Sequence, residues 1–414
     1  MKREILLFIG LCMLSRVFAQ LTLESCKQLA HDNYPAIRQY ALIEQSRDYT
    51  AANAAKAWLP QVSLSASGYA FTDLIDKSTP LGAVGLNTRN YMGMAQVQVN
   101  QTLYDGGSVA AKKGITEAEA AVKTHQLNVA MYDINRRIEQ LYFGILTLDE
   151  QLRQVALLQK DLDISEQAVK AMMKEGVANQ SDADAVSVEQ VQARQLESSL
   201  HASRRAFATM LATFIGREVT SHTSLARPVT LPYSNKVDVR RPELEYYTAQ
   251  SRLLMAQRKV LDARLKPHLG AFGMANYHSR MASMVNNGLL AAGLTLSWNI
   301  GALYTRKNDL GQLALQQQHI DSERETFLFN NRLQNEQSNG IIDNLQRQIE
   351  EDDEIIRLRI SIRERSELKV KNGTETVNEL LRNVNAVSRA RQSKALHELQ
   401  LLQEIYHLHE LNNN

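Results

Sequence analysis

The chain has 414 residues, with 47 Lys and Arg against 45 Asp and Glu, and its net charge of +2 argues against nucleic acid as the main partner. Its length fits two or three domains. It holds two cysteines, Cys12 and Cys26, which is too few for a disulfide framework or a cysteine metal cluster.

The first residues read as an export signal. Lys2 and Arg3 form a positive start, Ile5 to Leu14 an apolar run, and Val17-Phe18-Ala19 a small-residue cleavage site. The apolar run is too short to span a bilayer as a helix. Segment 1–19 is therefore expected to be removed, leaving a chain that begins near Gln20. A lipoprotein signal is the rival reading, because Cys12 lies inside the apolar run. Against it, Ile9-Gly10-Leu11 puts no small residue directly before that cysteine. Cys26 then remains as one thiol, read as a small buried helix residue.

Seven prolines divide the rest of the chain. None falls between Arg89 and Arg227, and none after Pro267. Proline breaks helix interiors, so these gaps permit very long helices, and their Ala, Leu, Gln, Glu, Lys and Arg content agrees. Ile145, Leu148, Leu152, Val155, Leu162 and Val169 fall on a and d positions of a heptad. Ile355, Leu358 and Ile362 keep the three-four step, as do Leu396, Leu399, Gln403 and Tyr406. The pattern predicts packed, supercoiled helices; an ordinary helical bundle satisfies the same periodicity.

The chain also reads as a duplication. Pro35 and Pro242 are 207 residues apart, and so are Pro60 and Pro267. Lys174-Glu175-Gly176 answers Lys371-Asn372-Gly373 at a spacing of 197. Much of the shortfall falls in the loop around Asp73 to Asn90, whose counterpart near Ser279 to Asn287 is shorter. The expected division is a first repeat over 20–216, a polar joint over 217–239 holding two prolines, and a second repeat over 240–414.

Each repeat carries a pair of strand-like segments after its second proline, near 61–71 and 92–104, then near 268–278 and 288–299. Val62, Leu64 and Ala66 alternate with Ser63, Ser65 and Ser67. Ala95, Val97 and Val99 alternate with Gln96, Gln98 and Asn100, and Leu290 to Asn299 alternates in the same way. Period two with one apolar face predicts strands. Segments of about ten residues suit tilted membrane strands, and Tyr69, Phe71, Tyr91, Tyr104, Tyr277 and Trp298 are placed for interfacial girdles. A soluble sheet packed on a core is the alternative. If the strands are in lipid, four cannot close a barrel, and an open edge leaves backbone groups unsatisfied at several kcal/mol each. Several chains would then share one barrel. The helical stretches carry charges throughout and do not belong in lipid. One of them, from near Asp105 to near Gly176, would reach roughly 100 Å if continuous.

Leu21-Thr22-Leu23-Glu24, Asn33-Tyr34-Pro35, Trp58-Leu59-Pro60-Gln61, Tyr104-Asp105-Gly106-Gly107 and Arg241-Pro242-Glu243-Leu244 resemble, in order, the TolC-type outer membrane efflux proteins. The resemblance spans both repeats. It implies a mainly α fold with transmembrane β: long coiled-coil helices forming an α-barrel in the periplasm, and four membrane strands per chain in a twelve-stranded barrel. It also implies an equatorial region built from the chain ends and the joint. The implied partners are two further copies of the chain, a periplasmic adaptor, an inner-membrane pump of the RND, ABC or MFS type, and outer-membrane lipid. No chemistry and no cofactor are implied.

On that resemblance, Gly176, Val177 and Ala178, with Gly373 and Thr374, are the expected adaptor-contacting tips, and glycine permits the positive φ of such turns. Some family members carry two acidic residues three apart after the second tip, forming a ring that narrows the pore. Here those positions are Glu379 and Arg382, which share a helix face and can pair. Other candidates fall away. His407 and His409 are two apart and point to different helix faces. Gly106-Gly107-Ser108 lacks the Gly-Lys-Ser/Thr of a phosphate loop and reads as a strand-to-helix turn capped by Asp105 or Ser108. The matching Asn299-Ile300-Gly301 turn is expected to differ. The run Glu350 to Glu354 reads as a solvated helix face. No catalytic Ser/His/Asp set and no metal cluster stand out. A periplasmic adaptor or structural protein without its own pore remains the alternative function, although no lipoyl-like halves flank a single hairpin here. A secreted hydrolase would need a pocket constellation that the sequence does not offer.

Overall fold

Residues 21–70, 91–220, 223–232, 238–278 and 288–412 are described by a computed structural model. The expected signal segment, Phe71 and both strand-connecting loops lie outside them. The elements in chain order are α1 (Leu23–Asn33), α2 (Arg38–Ala55), β1 (Gln61–Ala70), β2 (Tyr91–Tyr104), α3 (Ser108–Lys174), α4 (Gln180–Ile215), α5 (Pro242–Arg264), β3 (His268–His278), β4 (Gly288–Ser297), α6 (Ala302–Lys371) and α7 (Val377–Asn412). The two proline-free stretches are thus filled by helices of 67 and 70 residues, α3 and α6. Pro35 opens a 3-10 turn and Pro242 opens α5, both at helix starts where a missing N–H costs nothing.

The chain forms two compact units, each drawn from both halves of the sequence. The strand unit takes residues 39–127 and 243–325. The helical unit takes the segment up to Arg38, residues 128–242, and the chain from Thr326 onward.

In the strand unit the four strands pair antiparallel in the order β1-β2-β3-β4. The register sets Ser63, Ser65 and Ser67 against Gln98, Gln96 and Met94. It then sets Gln96, Gln98 and Asn100 against Asn276, Met274 and Phe272, and Phe272 against Gly293. One face therefore carries the serines and amides. The other carries Val62, Leu64, Val97, Val99, Leu290, Leu294 and Leu296. β4 ends at Ser297, two residues earlier than expected, and the Trp298 indole donates to the Leu265 carbonyl at 2.9 Å.

The turn from β2 into α3 is made by Asp105. Its carboxylate accepts from Gly107 N at 2.8 Å and Val109 N at 2.6 Å, satisfying amides that the first helical turn leaves open. Gly106 and Gly107 both take positive φ. At Gly106 a Cβ would also come within 2.9 Å of the Lys266 Cβ. The corresponding Asn299–Gly301 turn does differ, since Gly301 is not among the positive-φ glycines.

In the helical unit, Ile145, Val155, Leu162 and Val169 of α3 are buried, as the heptad predicts. Ile355, Leu358 and Ile362 of α6 are a correction: all three are exposed, at 45, 48 and 44%. The covered seam of α6 runs along a neighbouring stripe through Ile342, Leu345, Asp352, Ser366 and Val370. That seam is partly polar, so hydrophobicity alone does not pick it out as the stripe covered within the chain. Asp352 also departs from the solvated acidic run, being buried with His397 Nδ1 2.6 Å from its carboxylate.

The chain ends and the joint meet in this unit. Leu21 pairs with Leu225 in a parallel bridge, and the buried Tyr142 hydroxyl lies 2.7 Å from the Leu21 carbonyl and 2.6 Å from that of Ala226. The Asn33 amide donates to the last carbonyls of α4, at Thr213 and Phe214, beside the left-handed Gly216. Arg204 of α4 is ion-paired to Asp149 and donates to Thr223 O at 3.2 Å. At the C-terminus, Arg240 N donates to Asn412 O at 2.9 Å and Tyr406 donates to Val229 O at 2.9 Å. Cys26 is fully buried, and burial pushes its thiol up to about 11.

Among these contacts, Lys27 of α1 reaches Glu410 Oε2 at 3.0 Å and Glu139 Oε2 at 3.7 Å. The buried Glu139 and the half-buried Glu410 share one ammonium, and Glu139 Oε2 and Glu410 Oε1 have no hydrogen-bond partner. Burial raises Glu139 to about 8, more than the Lys27 ammonium pulls it down, and the Glu410 carboxylate adds to the rise. Burial also lowers Lys27, but the Glu410 and Glu139 carboxylates outweigh it and the net shift is upward. An unfolded glutamate titrates near 4.5, so folding takes up a proton between pH 4.5 and about 8. The Glu139 contribution to stability falls as pH rises through that window and is flat above it. Glu139→Gln removes this titration. Relative to the parent, the variant should gain on the order of a few kcal/mol between pH 5 and pH 9 in denaturation experiments. An equal difference at both pH values would contradict the assignment.

Candidate functional site

Three places carry the residues expected to act: the helix-hairpin tips, the first turn of α7, and the faces of the sheet.

Both tips end their helices in the same way. Gly176 and Gly373 have φ of +74° and +71°. Gly176 N donates to Met173 O and Val177 N to Met172 O, at 3.2 and 2.9 Å. Gly373 N donates to Val370 O and Thr374 N to Lys369 O, both at 2.9 Å. This is the Schellman pattern, which satisfies the orphan carbonyls and turns the chain. Gly176, Val177, Gly373 and Thr374 are exposed, and Ala178 is half-buried. The tips adjoin: a Cβ built at Gly373 would lie 3.9 Å from Val177 Cγ1. Beneath them Leu162, Val169, Val186, Val370, Val377 and Leu380 form one apolar cluster that joins the two hairpins.

Asn179 caps α4 in a capping box with Asp182. At the second tip Glu379 N bonds the Thr376 hydroxyl at 3.3 Å. Glu379 therefore occupies the third position of α7, where Asp182 stands in α4. The Thr-x-x-Glu spacing is a helix-start signature that the sequence reading missed. The Glu379 carboxylate does not close that box. It accepts from Arg382 Nη1 at 3.1 Å, and both side chains are open to solvent. The structure thus brings the two residues together as an exposed ion pair, worth at most about 1 kcal/mol. Nearby, Asp161 of α3 lies 3.8 Å from the guanidinium groups of both Arg363 on α6 and Arg391 on α7. No short-range spacing reveals this convergence, because its three members come from three helices.

The sheet has no core on either side: residues of both faces are open, and the apolar face is the more exposed, with Leu290 84%, Leu64 78%, Leu296 73% and Leu294 71% exposed. Leaving such a side chain in water forgoes about 1.5–3 kcal/mol. On the polar face Gln96 Nε2 donates to Gln98 Oε1 at 3.0 Å, and Gln98 Nε2 to Asn100 Oδ1 at 2.9 Å, forming a side-chain ladder along β2. Of the expected girdle, Tyr104, Tyr277 and Trp298 are exposed. No helix among the described residues is long and apolar enough to cross a membrane. No group of His, Cys, Asp and Glu among them is placed to hold a metal ion, and His409 is engaged with the Pro232 carbonyl at 3.1 Å.

Residues 27–217 match the outer membrane efflux protein family. No curated protein matches the chain by sequence. In fold it is similar to the outer membrane protein VceC from Vibrio cholerae, with TM-score 0.69 and 12% identity over 94% of this chain and 96% of that one. It is also similar to the CmeC outer membrane channel of Campylobacter jejuni, with TM-score 0.66 and 10% identity over 95% and 86%. The open-state MtrE outer membrane channel of Neisseria gonorrhoeae gives TM-score 0.66 and 14% identity over 95% and 89%. Residues 27–217 thus carry the sequence pattern of the outer membrane efflux protein family, and the chain shares the fold of solved outer membrane channels.

Proposed function

We propose that the chain is the outer-membrane channel of a tripartite efflux or type I secretion system, passing cargo passively from an inner-membrane pump and a periplasmic adaptor to the outside. The observation that carries this reading is the sheet, whose exposed apolar face and two open edges suit lipid and neighbouring strands. VceC is described as an outer membrane protein, and CmeC and MtrE as outer membrane channels, which supports the same location here.

Three copies would contribute four strands each to a twelve-stranded barrel, with the helices in the periplasm. The repeats 20–216 and 240–414, joined through 217–239, would each supply one strand pair and one long hairpin. An uncovered stripe such as Ile355, Leu358 and Ile362 suits burial against a second copy. The Gly176–Ala178 and Gly373–Thr374 tips would meet the adaptor, supported by their exposure and their matched Schellman geometry. Glu379 and Arg382 would form the inner constriction, with weaker cation affinity than an all-acid ring because each carboxylate already holds a cation. An adaptor or structural protein without its own pore is the competing reading, and the exposed leucines of the sheet count against it.

In a planar bilayer the parent protein should give discrete conductance steps, and their absence would reject the channel. Glu379→Gln leaves Arg382 unpaired and should change the unit conductance and weaken block by multivalent cations. If both stay as in the parent, the gate assignment fails. A photoactivated crosslinker at Val177 or Thr374 in whole cells should capture a periplasmic coiled-coil protein. Capture of nothing but further copies of this chain would reject the tip role.

A further inference from the structure

The polar face of the sheet has a property that lipid does not impose. A membrane strand must keep charge off its lipid face, but a lumen face meets water and tolerates charge freely. In a chain that is 22% charged, none of the four strands contains Asp, Glu, Lys or Arg on either face. The polar face instead offers Ser63, Ser65 and Ser67, the Gln96–Gln98–Asn100 ladder, Asn276 and Thr295. An amide presents a donor and an acceptor together, so the ladder solvates either sign of charge. The largest apolar group on this face, Phe272, lies across Gly293, where a Cβ would meet the ring at 3.0 Å. The glycine lets the ring lie close to the wall.

Symmetry sharpens the point. In a closed cyclic assembly any charged side chain is repeated in every copy, and such rings give pores their charge selectivity. A face with no Asp, Glu, Lys or Arg in one chain has no ring of fixed charge in the assembly; its ionisable histidines, His268 and His278, stand at the two ends of β3. We infer that the sheet's polar face lines a duct that does not sort cargo by charge, so that anionic, cationic and uncharged solutes pass it alike. This rests on the membrane-barrel reading above. It means that selection of cargo by charge belongs to other segments or to the partners.

Local potential inside the wall can be read without opening any gate. Single cysteines are placed on the polar face as Ser65→Cys and Gln98→Cys, and on the apolar face as Leu64→Cys and Leu294→Cys. Intact outer membranes are treated at pH 8 with a cationic and an anionic membrane-impermeant methanethiosulfonate. The parent, whose Cys26 is fully buried, gives the background. At Ser65→Cys and Gln98→Cys the ratio of cationic to anionic rates should lie within about threefold of that for a free thiol in solution, since charged clefts shift such rates by roughly tenfold or more. A bias of about tenfold or more at both polar-face positions overturns the inference and leaves the barrel reading standing. Reaction of Leu64→Cys and Leu294→Cys as fast as the polar-face positions would instead overturn the barrel reading. The two failures are distinguishable in one data set.

Discussion

Backbone hydrogen bonding at the edges of the sheet constrains everything else. The order β1-β2-β3-β4 leaves the outer side of β1 and of β4 without a partner among the described residues. In water such edges are a tolerable liability. In lipid each open N–H and C=O costs several kcal/mol. On the membrane reading proposed above, the exposed apolar face lies in lipid and the edges are closed by strands of other chains. A shared barrel, a symmetric assembly and a lumen repeated around an axis follow from that reading.

The helices answer a different constraint. They carry charge along their length and hold together through long seams. Those seams are apolar near the tips and mixed farther along, where Asp352 pairs with His397 and Asp161 meets two arginines. A mixed seam costs desolvation, and each buried charge has to find a partner. Where partners are too few, as for Glu139 and Glu410 around Lys27, the excess is taken up by a carboxyl that holds its proton to about pH 8. This cluster lies where α1, α3 and α7 meet, so protonation bears on how the chain ends are held.

Patterns local in sequence carried the fold. Proline-free stretches became α3 and α6, period-two alternation became four strands, and of the prolines 207 residues apart Pro35 and Pro242 open helical elements while Pro60 and Pro267 stand just before β1 and β3. Features that depend on tertiary packing did not show. The stripe Ile355, Leu358 and Ile362 has the right step for a seam, yet the partner helices sit over the neighbouring stripe, because a helix pattern says nothing about which of two adjacent faces is met first. Local geometry at the expected residues was visible in outline: Gly176 and Gly373 turn as glycine allows, and Glu379 and Arg382 pair. The capping spacing Thr376-x-x-Glu379 was present in the sequence and overlooked, and it gives Glu379 a place in the helix start as well as at the mouth of the hairpin.

Closure of the barrel between chains is tested most directly by disulfide trapping across the two open edges. A cysteine at Ser65 in β1 is combined with one at Ala291, Gly293 or Thr295 in β4, and oxidised in the outer membrane. At least one pairing should give covalent dimers and trimers and nothing larger, with the bond mapped between β1 of one copy and β4 of the next. Monomers alone in all three pairings, or bonds formed only within one chain, would contradict a barrel shared between chains.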